Sequence, residues 1–182
     1  MKYLLNQQET KRILFKEVRE SDFESWLPFH QNDITSLYWY EQRASPEVEC
    51  RKWYDKQFHR YENNFGGMNA LIEKQSGKLI GHCGLLVQEV DEKPELEIGY
   101  SLLPEFWNQG FATEAAAKCR DYAFINSFAN SLISIISLAN VPSQKVALKI
   151  GMTIDKESVY RNNAVYIFRI QKSVWLAPSQ GS

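Results

Sequence analysis

The stretch from Glu97 to Ala115 constrains the fold of this 182-residue chain more than any other. Its first residues read as a strand that breaks at Pro104, since proline has no N–H to give to a sheet ladder. A turn carrying Gly110 follows, and a helix begins at about Ala112. Strand, turn and helix in that order set successive backbone N–H groups beside a helix N-terminus, an arrangement that attracts anions. The helix leads into Ser131–Leu138, a nearly continuous apolar and β-branched run. A strand reached from another strand through a helix lies parallel to it, and one this apolar is buried on both faces.

Around this unit the other elements are short and well punctuated. Thr10 to Val18 reads as a first strand, Ser21 or Asp22 as a helix cap, and Phe23 to Phe29 as a short helix ending near Pro28. Between Asn32 and Arg43 periodicity fails while Tyr38, Trp39 and Tyr40 collect, which suits a loop forming a substrate wall. Ser45-Pro46-Glu47 opens an amphipathic helix in which Cys50, Trp53, Tyr54, Phe58 and Tyr61 share a face. Met68–Lys74 and Lys78–Val90 form a hairpin, and Glu95–Leu102 extends it into a meander. In the helix after Gly110, alanines face inward and Glu114 is spaced to pair with Lys118 at i,i+4. Asn140-Val141-Pro142-Ser143 starts a short helix closed by Gly151. A last hairpin, Met152–Tyr160 and Ala164–Lys172, precedes a frayed tail from Ala177.

Length and charge exclude several function classes. The chain suffices for one domain, residues 1–182 with a core of about 10–172. Lys and Arg number 21 against 22 Asp and Glu, without the basic surplus of a nucleic-acid binder. No apolar run approaches the ~20 residues of a membrane span, and no secretory leader opens the chain, so a cytoplasmic protein is expected. Cys50, Cys83 and Cys119 lack zinc-ligand spacing and read as buried thiols; no metal is expected.

The element order, with Trp107-Asn108-Gln109-Gly110-Phe111-Ala112-Thr113-Glu114-Ala115 and then Asn140-x-x-Ser143 before Lys149-x-Gly151-Met152, resembles the GNAT superfamily of N-acetyltransferases. With Glu97-Ile98-Gly99-Tyr100 it is most similar to the branch of ribosomal-protein N-terminal alanine and serine acetyltransferases. The resemblance implies an α/β (α+β) GNAT fold: a mixed, mostly antiparallel sheet of about seven strands, splayed between the fourth and fifth and flanked by about four helices. It implies acetyl-CoA as cosubstrate and an amine acceptor, acted on by a monomer or homodimer.

By the same resemblance, backbone groups of Asn108, Gln109, Gly110, Phe111, Ala112 and Thr113 hold the pyrophosphate. Trp107 stands where the family motif has Gln or Arg, so affinity must come from the backbone and the helix terminus. Leu102 and Leu103 hold the pantetheine arm, and Asn140 and Ser143 contact it. Thioester aminolysis needs a group that takes a proton from the amine, and Glu97 is the candidate base. Ser143 is a hydrogen-bond donor to the sulfur, because the family's tyrosine acid falls at Ala147 here. Trp39, Tyr40 and Glu97 are the expected acceptor contacts. A protein N-terminus is the leading acceptor. A small polyamine, amino sugar or amino acid, and a non-catalytic acyl-CoA-binding module, stay open as alternatives.

Overall fold

A computed structural model describes residues 2–38 and 44–176. In chain order the elements are β1 (Ile13–Glu17), α1 (Phe23–Gln31), α2 (Pro46–Glu62), β2 (Gly66–Glu73), β3 (Leu79–Val90), β4 (Lys93–Leu102), α3 (Phe111–Ile125), β5 (Ser131–Ser137), α4 (Val141–Lys149), β6 (Thr153–Tyr160), β7 (Asn163–Gln171) and α5 (Lys172–Leu176). The strands form one seven-stranded sheet in the order β1-β2-β3-β4-β5-β7-β6. Every neighbouring pair is antiparallel except β4 and β5, which are parallel. This is the expected GNAT α/β architecture.

Local chemistry accounts for the boundaries. Ser45 accepts from the Val48 N–H and Pro46 occupies the first turn of α2, with Glu47 and Glu49 at its N-terminus and His59 and Arg60 at its C-terminus. The Asn140 side chain accepts from the Ser143 N–H to start α4. Alternation along β4 assigns its side chains to two cores. Leu96, Ile98 and Leu102 pack with Ala115, Ala116, Cys119 and Ala123 of α3, whereas Leu103, just beyond the strand, joins Trp26 of α1 and Tyr54 of α2. Cys83 and Cys119 are buried free thiols with Sγ atoms 3.5 Å apart.

Four sequence expectations need correction. The first short helix does not stop at Pro28 but carries it inside and runs to Gln31, held by Trp26, which is buried and stacked on Phe29. The loop after it opens with a 3-10 turn, Asp33–Ser36. Glu114 is turned away from Lys118 and bonds Arg12 and Thr10 instead. A fifth helix, α5, follows β7, with Trp175 donating to Asp121 on α3. Trp39, Tyr40 and the tail from Ala177 lie outside the described residues. Among the described residues no helix is long and apolar enough to cross a membrane.

Candidate active site

The parallel pairing of β4 with β5 is confined to one register pair, Glu97 with Ile133. Beyond it the strands diverge, and side chains take over from the backbone ladder. The Ser134 hydroxyl on β5 donates to the Ile98 carbonyl at 2.8 Å, and the Ile135 N–H reaches Glu97 Oε1 at 3.4 Å. Tyr100 spans the gap differently, donating its hydroxyl proton to the Ser143 carbonyl on α4 at 2.7 Å. These residues border the cleft where β4 and β5 part, Glu97 on one face of the sheet and Tyr100, Ser143 and Asn140 on the other.

Leu102 and Leu103 sit at the top of that cleft with opposite orientations. The Leu103 N–H donates to the Ile80 carbonyl at 3.0 Å, so its amide is spent on the β3 side. By alternation the backbone of Leu102 faces the opened side. Its carbonyl accepts from the Trp107 indole N–H at 2.7 Å, leaving its amide as the donor toward the cleft. An arm added along this edge therefore meets Leu102; Leu103, expected to share that task, contributes a buried apolar side chain instead.

The turn that follows is built to present unpaired N–H groups. Asn108 (φ 59°) and Gly110 (φ 82°) both adopt left-handed conformations, and for glycine this costs nothing. No side chain caps α3, whose first helical bond runs from the Glu114 N–H to the Gly110 carbonyl. The N–H groups of Phe111, Ala112 and Thr113 are left over, as in the first turn of any helix. Phe111 is buried, so only its backbone can serve a ligand. A pyrophosphate fits such a cradle.

Arg12, at the start of β1, braces the turn. Its Nε pairs with Glu114 at 2.6 Å, its Nη1 donates to the Gln109 carbonyl at 2.9 Å, and its guanidinium lies 4.1 Å from the centre of the Phe111 ring. Thr10 Oγ1 and the Arg12 N–H also donate to Glu114 Oε1, at 2.6 and 2.9 Å. Trp107 has left the phosphate position to tie down Leu102, while a guanidinium arrives 97 residues away in sequence. Spacing within the motif gives no sign of it.

On the opposite face of the sheet lies the surround of Glu97. Gln88 on β3 donates its Nε2 proton to Glu97 Oε2 at 2.6 Å. Gln88 Oε1 accepts from Arg60 of α2 at 3.0 Å and from the Tyr160 hydroxyl of β6 at 3.1 Å. Arg60, nearly buried, also donates to the Phe65 and Val87 carbonyls. Burial pushes the Glu97 carboxyl above the usual carboxylate range, opposed by the bonds from Gln88 and Ile135 and by the charges of Arg60 and Lys56. A carboxylate raised in this way suits a proton acceptor near neutral pH. Burial also raises the Tyr100 phenol, which stays protonated.

Of the two smaller candidates, Asn140 spends Oδ1 on the Ser143 N–H as a helix cap and retains its amide nitrogen. The Ser143 hydroxyl makes no hydrogen bond to a described residue and is available to a ligand. Gln109 Nε2 is engaged with the Glu105 carbonyl at 2.7 Å, so its side chain belongs to the turn. Among the described residues no group of His, Cys, Asp and Glu is placed to hold a metal.

Known proteins are similar to this chain in sequence and in fold. Residues 12–153 match the acetyltransferase (GNAT) domain. The protein YkkB of Bacillus subtilis is 29% identical over 143 residues, 78% of this chain and 81% of that protein. Spermidine N(1)-acetyltransferase of Escherichia coli K12 is 27% identical over 131 residues, 71% of this chain and 66% of that enzyme. In structure, the ribosomal-protein-S5-alanine acetyltransferase of Vibrio fischeri superposes with a TM-score of 0.70 at 18% identity, over 93% of this chain and 98% of the other.

Proposed function

The chain belongs to the GNAT acetyltransferase family and is an acetyl-CoA-dependent acyltransferase; on that premise we propose that its acceptor is the α-amine of a protein or peptide N-terminus, with Glu97 as general base in a cytoplasmic enzyme. The observation that carries this reading is the charge balance around Glu97. Among the described residues it is the lone carboxylate in its network, backed by Arg60 and Lys56. Glu95, two residues earlier on β4, is consumed by Arg169 at 2.8 Å. A polyamine carries several cations and needs several anions, whereas among the described residues this site offers one anion with cations behind it. An α-amine carries a single charge and loses its proton at a pKa of about 7.7–8.0, against about 10.4 for an alkylammonium such as lysine.

In the reaction the ammonium N–H bond breaks and its proton passes to Glu97. The freed nitrogen lone pair attacks the thioester carbonyl carbon, and the developing oxyanion is met by the Leu102 N–H. Collapse breaks the C–S bond; the thiolate takes the second proton from nitrogen, with Ser143 as its hydrogen-bond donor. Products are the amide and the free thiol, and Glu97 returns its proton to solvent.

The deciding experiment is thiol release with acetyl-CoA and two acceptor sets: short peptides with free N-termini, and spermidine with other small amines. Turnover of the peptides, lost in Glu97→Gln, is the expected result. Faster turnover of spermidine would replace the N-terminal reading with the polyamine one that the Escherichia coli relative suggests.

A further inference from the structure

Gln88 and the two donors behind it have no part in the chemistry just described, yet their geometry bears on Glu97. A glutamine amide can turn either face to a neighbour, giving an N–H or offering a carbonyl oxygen. At Gln88 both donors, Arg60 Nη2 and the Tyr160 hydroxyl, converge on Oε1. The reversed amide would set its NH2 against a guanidinium and its oxygen against a carboxylate, leaving four polar groups mismatched. Arg60 is itself fixed by two backbone carbonyls from the β2–β3 region, Phe65 and Val87. The amide is thus locked with Nε2 toward Glu97.

We infer that Gln88, held in one orientation by Arg60 and Tyr160, is a positioning residue that keeps Glu97 ionised and aims one of its oxygens at the acceptor amine. Gln88 claims Oε2 with a short bond, while Oε1 receives only the long contact from Ile135 N–H and stays open for the incoming proton. The groups acting on Glu97 are Arg60 and Lys56 from α2, Gln88 from β3 and the Ile135 N–H from β5, with Tyr160 of β6 acting through Gln88 and the protonated Tyr100 phenol nearby on β4. Burial works against the anion; Gln88, the Ile135 amide and the two cations work for it. The arrangement also joins the β6–β7 hairpin to the base, since Tyr160 is the last residue of β6.

This inference rests on Glu97 being the base, and the test separates the two. Full-length protein labelled with carbon-13 at the glutamate carboxyls is titrated by NMR, with Glu97→Gln identifying the Glu97 signal. Removing a donor to the ionised form raises the pKa, so in Gln88→Met the Glu97 midpoint is expected to move up by about one pH unit, a tenfold change in its ionisation constant. Tyr160→Phe leaves Arg60 in place and is expected to shift it the same way by less. The acid limb of kcat/KM against pH, measured with a peptide acceptor, moves with the midpoint, while the thermal shift given by acetyl-CoA stays at the wild-type value. A folded Gln88→Met or Tyr160→Phe protein with an unmoved Glu97 midpoint overturns the inference and leaves the base intact. A wild-type rate and acid limb in Glu97→Gln would remove the base itself. If Gln88→Met does not fold, Tyr160→Phe decides alone.

Discussion

Lowering the pH from 7 to 5 is expected to cost this protein about 2 kcal/mol through His82 alone. His82 is fully buried on β3, its ring 4.3 Å from Trp26 and 4.4 Å from Trp53 by centroid, and neither ring nitrogen has a hydrogen-bond partner. Desolvation, with a smaller contribution from His30, pushes its pKa down from 6.5 to about 3. Below pH 6.5 the unfolded chain therefore binds a proton that the folded one refuses. Stability contributed by neutral His82 is complete above pH 6.5 and drains away as pH falls toward 3. Between pH 7 and 5 the loss is about one and a half units at 1.36 kcal/mol each, or about 2 kcal/mol, with a limit of about 5 kcal/mol near pH 3. The control is His82→Met, similar in volume, without an ionisable group and able to pack against the two indoles. Urea unfolding at pH 7, 6 and 5 reads the effect: relative to the variant, wild type should lose about 1 M in midpoint by pH 5 if m is about 2 kcal/mol/M. Carboxylates are common to both proteins and cancel in the difference. Parallel pH dependences, within about 0.5 kcal/mol, would refute the claim that the ring stays neutral.

Two further outcomes concern the phosphate turn. Gly110→Ala forces a left-handed conformation on alanine, at a cost of about 1–2 kcal/mol, and sets its Cβ 3.4 Å from Arg12 Nη2; calorimetry should show a lower Tm and a smaller stabilisation by acetyl-CoA. Glu114→Ala removes the bonds to Thr10, the Arg12 N–H and the Arg12 guanidinium, a loss of about 1–2 kcal/mol once solvent screening of the half-exposed arginine is allowed for. The KM for acetyl-CoA should rise, because the Gln109 carbonyl loses its fixed partner. Burial acts to raise the Glu114 carboxyl, but Thr10 and Arg12 together hold it below its ordinary 4.5. The contribution is therefore present above pH 4.5 and fades below it; an undiminished gap between wild type and variant at pH 3 would contradict this.

Much of the architecture was legible because local chemistry marks it. Ser45-Pro46, Asn140-Val141-Pro142 and Gly110 announce their helices whatever surrounds them, and Ser131–Leu138 is too apolar to lie anywhere but inside. What escaped was set by partners distant in sequence. Pro28 argued for a helix end, yet packing of Trp26 between α2 and β3 outweighs one missing backbone bond. Glu114 had a well-spaced lysine four residues away and took an arginine 102 residues away, because β1 runs past the start of α3. Gln88 and Arg60 belong to no motif and stand at no informative spacing in the sequence. Only the sheet register, which brings β3 beside β4 and the end of β6 near both, makes them neighbours of Glu97.

The single register pair between β4 and β5 also makes the sheet a thing of two plates. One plate, β1 to β4, and the other, β5 to β7, are each joined by antiparallel ladders, and between them run side-chain bonds: Ser134 to Ile98, the Ile135 N–H to Glu97, Tyr100 to Ser143, Arg169 to Glu95 and Tyr160 to Gln88. Glu97, the proposed base, is thus also one of the groups that hold the plates together. Substitutions chosen to probe the reaction will also alter how tightly the two plates are fastened: even Glu97→Gln, similar in shape, sets its NH2 against either Gln88 Nε2 or the Ile135 N–H and gives up one of the two bonds.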